Sequence, residues 1–244
     1  MERSSNPVLS DRVLSGVRAS PSAEVMTIEG TVNKTLISMV ILVIVAWWTA
    51  SDPTMISFAV PAAIVGFILA LVICFKPAWA PALTPVYAAA EGCVLGAISL
   101  YFETMHSGIV MQALGLTCVT MFTMLFFYKS GYIKATPAFR RGLIIAMCAI
   151  LVFYLISILS SFFGYHGLVA FYASNSLLSI CLSVVIVGIA ALNLVLDFNF
   201  IESSAAQGNV PKFMEWYGAF DLMVTLVWLY IEVIRLLSKL QSRK

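Results

Sequence analysis

Asp221, Thr225, Glu232 and Arg235 are the strongly polar residues of the apolar run Trp216–Leu237. At about 100° per residue they fall within roughly 80° of one helix face, with Trp228 on the same line. A charge at the bilayer centre costs about 2.5–3.5 kcal/mol on insertion scales, so a stripe of this kind cannot face lipid. It must be enclosed by other helices and line a pathway or a site. The preceding apolar run has the same design, because Asn175, Ser179, Ser183, Asn193 and Asp197 share a comparable arc. Asp197 closes that run in "LNLVLDFNFIE", Leu192–Glu202. The chain then returns to Asp221, about a turn and a half into the last run. Both carboxylates are therefore expected near one membrane face at similar depth. Two carboxylates a few ångströms apart cannot both ionise cheaply and titrate as a coupled unit. Such a pair can hold a proton, release it, or take a hard cation such as calcium, which prefers carboxylate oxygen. The plainer alternative is that each Asp is a helix-end residue at the interface, where the positive N-terminal end of a helix favours Asp without any function.

Other polar groups at membrane depth are candidates for lining a pathway or gate. Glu91 lies in "VYAAAEGCVLGAISLYFE", beside Gly92 and Gly96, whose spacing lets helices approach closely. A carboxylate there is a functional candidate, or else a protonated and hydrogen-bonded core residue. Asn193 and Thr225 share the polar faces of the last two runs. Glu232 and Arg235 are spaced to pair with each other, or Arg235 snorkels to the interface. His106 and His166 fall in short loops and make no metal-ligand set. Enzyme chemistry is not expected. "GAFD" at Gly218–Asp221 lacks the second glycine of the GxGD run of intramembrane aspartyl proteases, no HExxH is present, and no Ser–His pairing falls within the spans.

The elements that must position these groups are membrane helices. The chain is 61% hydrophobic and 11% charged, against about 25% charged in soluble domains, and its mean hydropathy is +0.98. The fold class is all-α and polytopic. A polar tail, 1–33, precedes a transmembrane domain, 34–240, with spans at about 35–50, 54–75, 85–102, 108–128, 142–163, 175–196 and 216–237, and a short basic tail, 241–244, follows. The tail lacks the apolar core of a signal peptide, so the first span is expected to act as its own insertion signal. The cysteines Cys74, Cys93, Cys118, Cys148 and Cys181 show no CxxC spacing and read as small buried apolar residues. No basic run points to nucleic acid.

Lys and Arg cluster before the first span (Arg3, Arg12, Arg18, Lys34), after the second (Lys76), after the fourth (Lys129, Lys134, Arg140, Arg141) and after the sixth (Lys212), while the intervening loops carry none. This places the N-terminus in the cytoplasm. Arg235, Lys239, Arg243 and Lys244 end the chain; seven crossings put them outside, whereas a re-entrant sixth or seventh segment puts them inside.

Seven short spans, an Asp in "LDFNFIE" ending the sixth, an Asp in "WYGAFDLMVTLVWLYIEVIRLL" and the opening "MTIEGTVNKT" at Met26–Thr35 resemble the Bax inhibitor-1 family, in particular a bacterial branch of it. The resemblance covers about residues 26–240. It implies a bundle with the last helix central, a pH-sensitive calcium leak gated by an aspartate pair, and a bacterial cell (inner) membrane. Asp197 matches the first aspartate and Asp221 suits the second as pH sensor and calcium ligand. Matching the family's terminal arginine to Arg235 instead sets the second position at Thr225, one turn from Asp221 on the same face. The family's arginine at the end of the second span, a latch for the aspartates, corresponds to Lys76, which lacks the bidentate geometry of Arg. The expected partners are the bilayer, calcium and protons, with no other cofactor. Two further functions compete: a scaffold that binds another membrane protein through the tail Met1–Asn33, and, less favoured, an intramembrane aspartyl protease.

Overall fold

A computed structural model describes residues 24–243. These residues form α1 (Ile28–Ser51), α2 (Ala59–Phe75), α3 (Ala80–Met105), α4 (Ile109–Lys129), α5 (Pro137–Phe162), the short α6 (Gly167–Ala173), α7 (Leu177–Ala206) and α8 (Met214–Gln241). Turns of 3-10 helix at Pro53–Phe58 and Pro77–Trp79 lead into α2 and α3. An isolated antiparallel bridge joins Val25 to Pro211.

The helix ends follow local chemistry rather than hydropathy alone. α1 begins at Ile28, ahead of the apolar run at Thr35, because the Thr27 hydroxyl caps it by accepting from the Gly30 N–H at 3.0 Å. α5 begins at Pro137, ahead of Gly142, because Thr136 caps it and a proline fits the first helical position. α3 runs through Pro85, sacrificing one backbone hydrogen bond, and so starts before the expected span. Asp52 accepts from the Thr54 N–H at 2.9 Å and the Thr54 hydroxyl at 2.8 Å in the turn after α1. Those two bonds hold its carboxyl below the usual carboxylate range.

The largest departure from expectation lies in α7. Asp197 does not close it. The helix continues to Ala206, with Phe200, Ile201 and Ser204 buried beyond the aspartate, so Asp197 is an interior helical residue. Asn175, in contrast, precedes the helix and is exposed.

Six helical stretches are long and apolar enough to cross a membrane: Ile28–Ser51, Pro53–Phe75, Pro77–Met105, Ile109–Lys129, Pro137–Phe162 and Leu177–Ala206. Their outward faces carry large apolar side chains, with Trp47, Phe75 and Phe162 exposed by 75%, 83% and 84%. Apolar exposure on this scale would be an adhesive surface in water, and hydrocarbon is the solvent it suits. The expected count was seven. α8 is not one of the six; it carries Asp221, Glu232, Arg235 and Lys239 along its length. The cysteines are free. Cys118, Cys148 and Cys181 are exposed rather than buried, because lipid accommodates a small thiol as readily as a core does.

The chain divides into two compact units. One takes the chain up to Tyr101 together with Asp197–Val227. In it α3 lies closely against α1 at Gly92 and Gly96. A Cβ at Gly92 would fall 2.7 Å from the Leu42 carbonyl oxygen, and one at Gly96 would collide with the Ala46 carbonyl and Thr49. α3 also follows α8, with the Thr84 hydroxyl donating to the Trp216 carbonyl at 3.3 Å and the Tyr87 and Phe220 rings 5.0 Å apart, edge to face. The second unit takes Phe102–Leu196 with the chain from Trp228 onward. There Glu103 caps α4, accepting from the N–H groups of Gly108 at 2.6 Å and Val110 at 3.1 Å.

Gly92→Ala and Gly96→Ala should each lower stability by about 1–3 kcal/mol through overpacking against backbone. Thermal unfolding in detergent checks this, with Gly115→Ala, where the added methyl meets open space, as the unaffected control.

Candidate functional site

The polar stripes of α7 and α8 face inward. Asp197 is 2% exposed and Thr225 3% exposed. The Thr225 hydroxyl hydrogen-bonds Asp197, and Asp221 lies close enough to Asp197 to repel it. Asp221 reaches the pair from one turn before Thr225. Its Oδ2 is buried and accepts no hydrogen bond. The Cys74 thiol of α2 and the Tyr217 hydroxyl of α8 lie within electrostatic range of Asp221. The structure thus gathers the buried Asp197 and Thr225 and the half-buried Asp221 into one cluster. Two carboxylates and a hydroxyl form an all-oxygen donor set, which suits a proton or a hard cation rather than a soft metal. No group of three or more His, Cys, Asp or Glu side chains gathers among the described residues, so a cation here would complete its shell with hydroxyl, carbonyl or water oxygen.

Glu91 stands apart from this cluster. It bonds the Tyr87 hydroxyl and packs near Gly66 of α2. Thr84 meets Trp216 and Tyr87 meets Phe220, so α3 and α8 advance in the same direction. Continuing that register sets Glu91 about one turn, roughly 5 Å, further along than Asp221. Lys76 is exposed, its ammonium 4.6 Å from the centre of the Trp79 ring, and must leave that ring to serve either aspartate as a latch. Asn193 is buried on α7 in the second unit.

A sequence model of the Bax inhibitor 1 like family matches residues 6–242. The chain belongs to that family. No curated protein matches it well enough to name a relative.

This Bax inhibitor 1 like protein carries two further polar clusters. In the second unit, Glu232 is saturated. Its Oε1 accepts from the Tyr154 hydroxyl at 2.8 Å and the Arg235 guanidinium at 2.7 Å, and its Oε2 from the Tyr172 hydroxyl at 2.5 Å. Arg235 also donates to the Tyr172 hydroxyl at 2.8 Å and stacks on that ring. The pairing of Glu232 with Arg235 is therefore part of a clamp that draws α5, α6 and α8 together. Lys239, one turn on, is 3% exposed and donates to the hydroxyls of Ser179 at 2.9 Å and Ser183 at 2.7 Å. In the first unit Glu215 accepts from the Thr27 N–H at 3.0 Å, the Thr27 hydroxyl at 2.8 Å and the Lys34 ammonium at 2.5 Å.

Sequence reasoning missed Glu215 and Thr27, and used Lys34 only as a marker of sidedness. It also missed Tyr154, Tyr172 and Lys239. The one available signal was spacing: Ser179 and Ser183 share a helix face, as do Arg235 and Lys239.

Glu232→Ala strands a partly buried guanidinium and two tyrosine hydroxyls, and should destabilise the protein by about 2–4 kcal/mol; Tyr154→Phe should cost about 1 kcal/mol. Unfolding monitored in detergent reads both.

Proposed function

We propose that this protein is a pH-sensitive leak for cations, with calcium as the permeating ion, in which Asp197 and Asp221 form the proton sensor and ion-binding pair. The observation that carries this reading is the buried Oδ2 of Asp221, which has no hydrogen-bond donor although a second carboxylate lies beside it. Two other acids of α8, Glu215 and Glu232, are each saturated by three donors, which is what a structural carboxylate requires. An oxygen left open next to a like charge is costly unless a proton or a cation occupies the space. Family membership supports the same reading.

In the proposed mechanism calcium and protons compete for the same oxygens. Thr225 orients Asp197, and Glu91, about one turn along, is the next carboxylate on the path. Asn193, about one turn before Asp197 on α7, is a further lining group. α8 is the seventh crossing and the central helix, since an ionisable stripe at membrane depth must be enclosed. The N-terminus lies in the cytoplasm of a bacterial cell whose inner membrane houses the protein. The protein is not an enzyme: the pair binds and releases ions without activating water.

The test is calcium efflux from proteoliposomes across a pH series. Efflux through the native protein should vary with pH. Asp197→Asn and Asp221→Asn should each cut it by roughly tenfold, the scale on which ligand charge tunes calcium sites, and flatten its pH profile. Unchanged flux and pH response in both variants would sink the reading.

A further inference from the structure

The segment Glu24–Thr27 is strapped to the connection between α7 and α8. The Met26 N–H donates to the Val210 carbonyl at 2.8 Å, and the Lys212 N–H donates to the Glu24 carbonyl at 3.0 Å, on either side of the Val25–Pro211 bridge. An ion pair joins Glu24 to Lys212, and Glu215 holds Thr27 and Lys34. The strap delivers one large side chain inward. Met26 is 2% exposed, and its Cε lies 3.5 Å from where a Cβ on Gly218 would be, with Ile201 and Thr31 converging on the same point. Gly218 precedes Asp221 by three residues, and Ile201 follows Asp197 by four. On helices those offsets share a face. Met26 therefore sits on the face that carries the aspartate pair, about 5 Å nearer the helix ends. The rings of Tyr217 and Phe200, next in sequence to Gly218 and Ile201 respectively, are 6.0 Å apart.

We propose that Met26 is a plug, held by the strap, that closes the aspartate pair off from water on the N-terminal face of the membrane. The inference rests on the reading of that pair as the ion site and assigns its closure to one side chain. A methionine suits a plug that must withdraw and reseat, being unbranched and adaptable in packing. Glu215 fixes where the strap sits, since its carboxylate fills the space that any side chain at position 30 would need.

The experiment compares native protein, Met26→Ser and Met26→Leu in nanodiscs by amide hydrogen exchange, and in liposomes by calcium efflux. Met26→Ser should raise exchange by roughly tenfold or more in peptides spanning 197–205 and 214–222, leaving peptides of α4 unchanged, and should raise efflux several-fold. Met26→Leu, which conserves volume, should behave as the native chain. Should Met26→Ser fold poorly, Glu24→Ala with Lys212→Ala loosens the strap from outside and is expected to act in the same direction. Unchanged exchange around the aspartates overturns the plug. So does faster exchange with unchanged efflux in a protein whose native form conducts. If the native form passes no calcium, the channel reading falls, and the exchange comparison alone decides whether Met26 shuts water out.

Discussion

A carboxylate withdrawn from water has to find its partners within the protein, and α8 carries three such acids. The structure answers them unequally. Glu215 draws donors from Thr27 and Lys34, and Glu232 from two tyrosines and Arg235, so each is anchored. Asp221, between them, meets another carboxylate and keeps one buried oxygen without a donor. Satisfied groups make a structure rigid, and unsatisfied ones are costly enough to need a reason. That contrast along a single helix separates carboxylates that hold the protein together from one that is left without a donor.

Local packing supports the division. Gly92 and Gly96 bring α3 onto α1 at backbone distance, which narrows the space through which α3 can shift. Thr84 and Tyr87 fix α3 to the first turns of α8. The surroundings of the aspartates are therefore braced by close contacts.

The stripe of α8 was legible in the sequence because charge in an apolar run has a single physical outlet, enclosure, and helical periodicity says which residues share it. Asp221, Thr225 and Asp197 do share it. What was not legible depends on long-range pairing or on the ambiguity of apolar residues. "DFNFIE" reads as the end of a span because Asp, Asn and Glu punctuate it, yet Phe200 and Ile201 find a buried face and the helix continues. Lys239 reads only as one of the cations that end the chain, and the fold reveals the serine hydroxyls that receive it. The cysteines illustrate a limit of hydropathy itself. Composition cannot tell a lipid-facing position from a core position, since both are solvated by hydrocarbon.

The bonds from Thr27 and Lys34 to Glu215 span 188 and 181 positions of chain. During synthesis at about 5–20 residues per second, the partner of Lys34 emerges from the ribosome roughly 10–40 s after it. α1 must therefore wait in the membrane with its lysine at the headgroups until the last helix arrives. The junction of first and last helices is consequently a late event in biogenesis, and a nascent chain cut short before Glu215 leaves that lysine available to quality-control machinery.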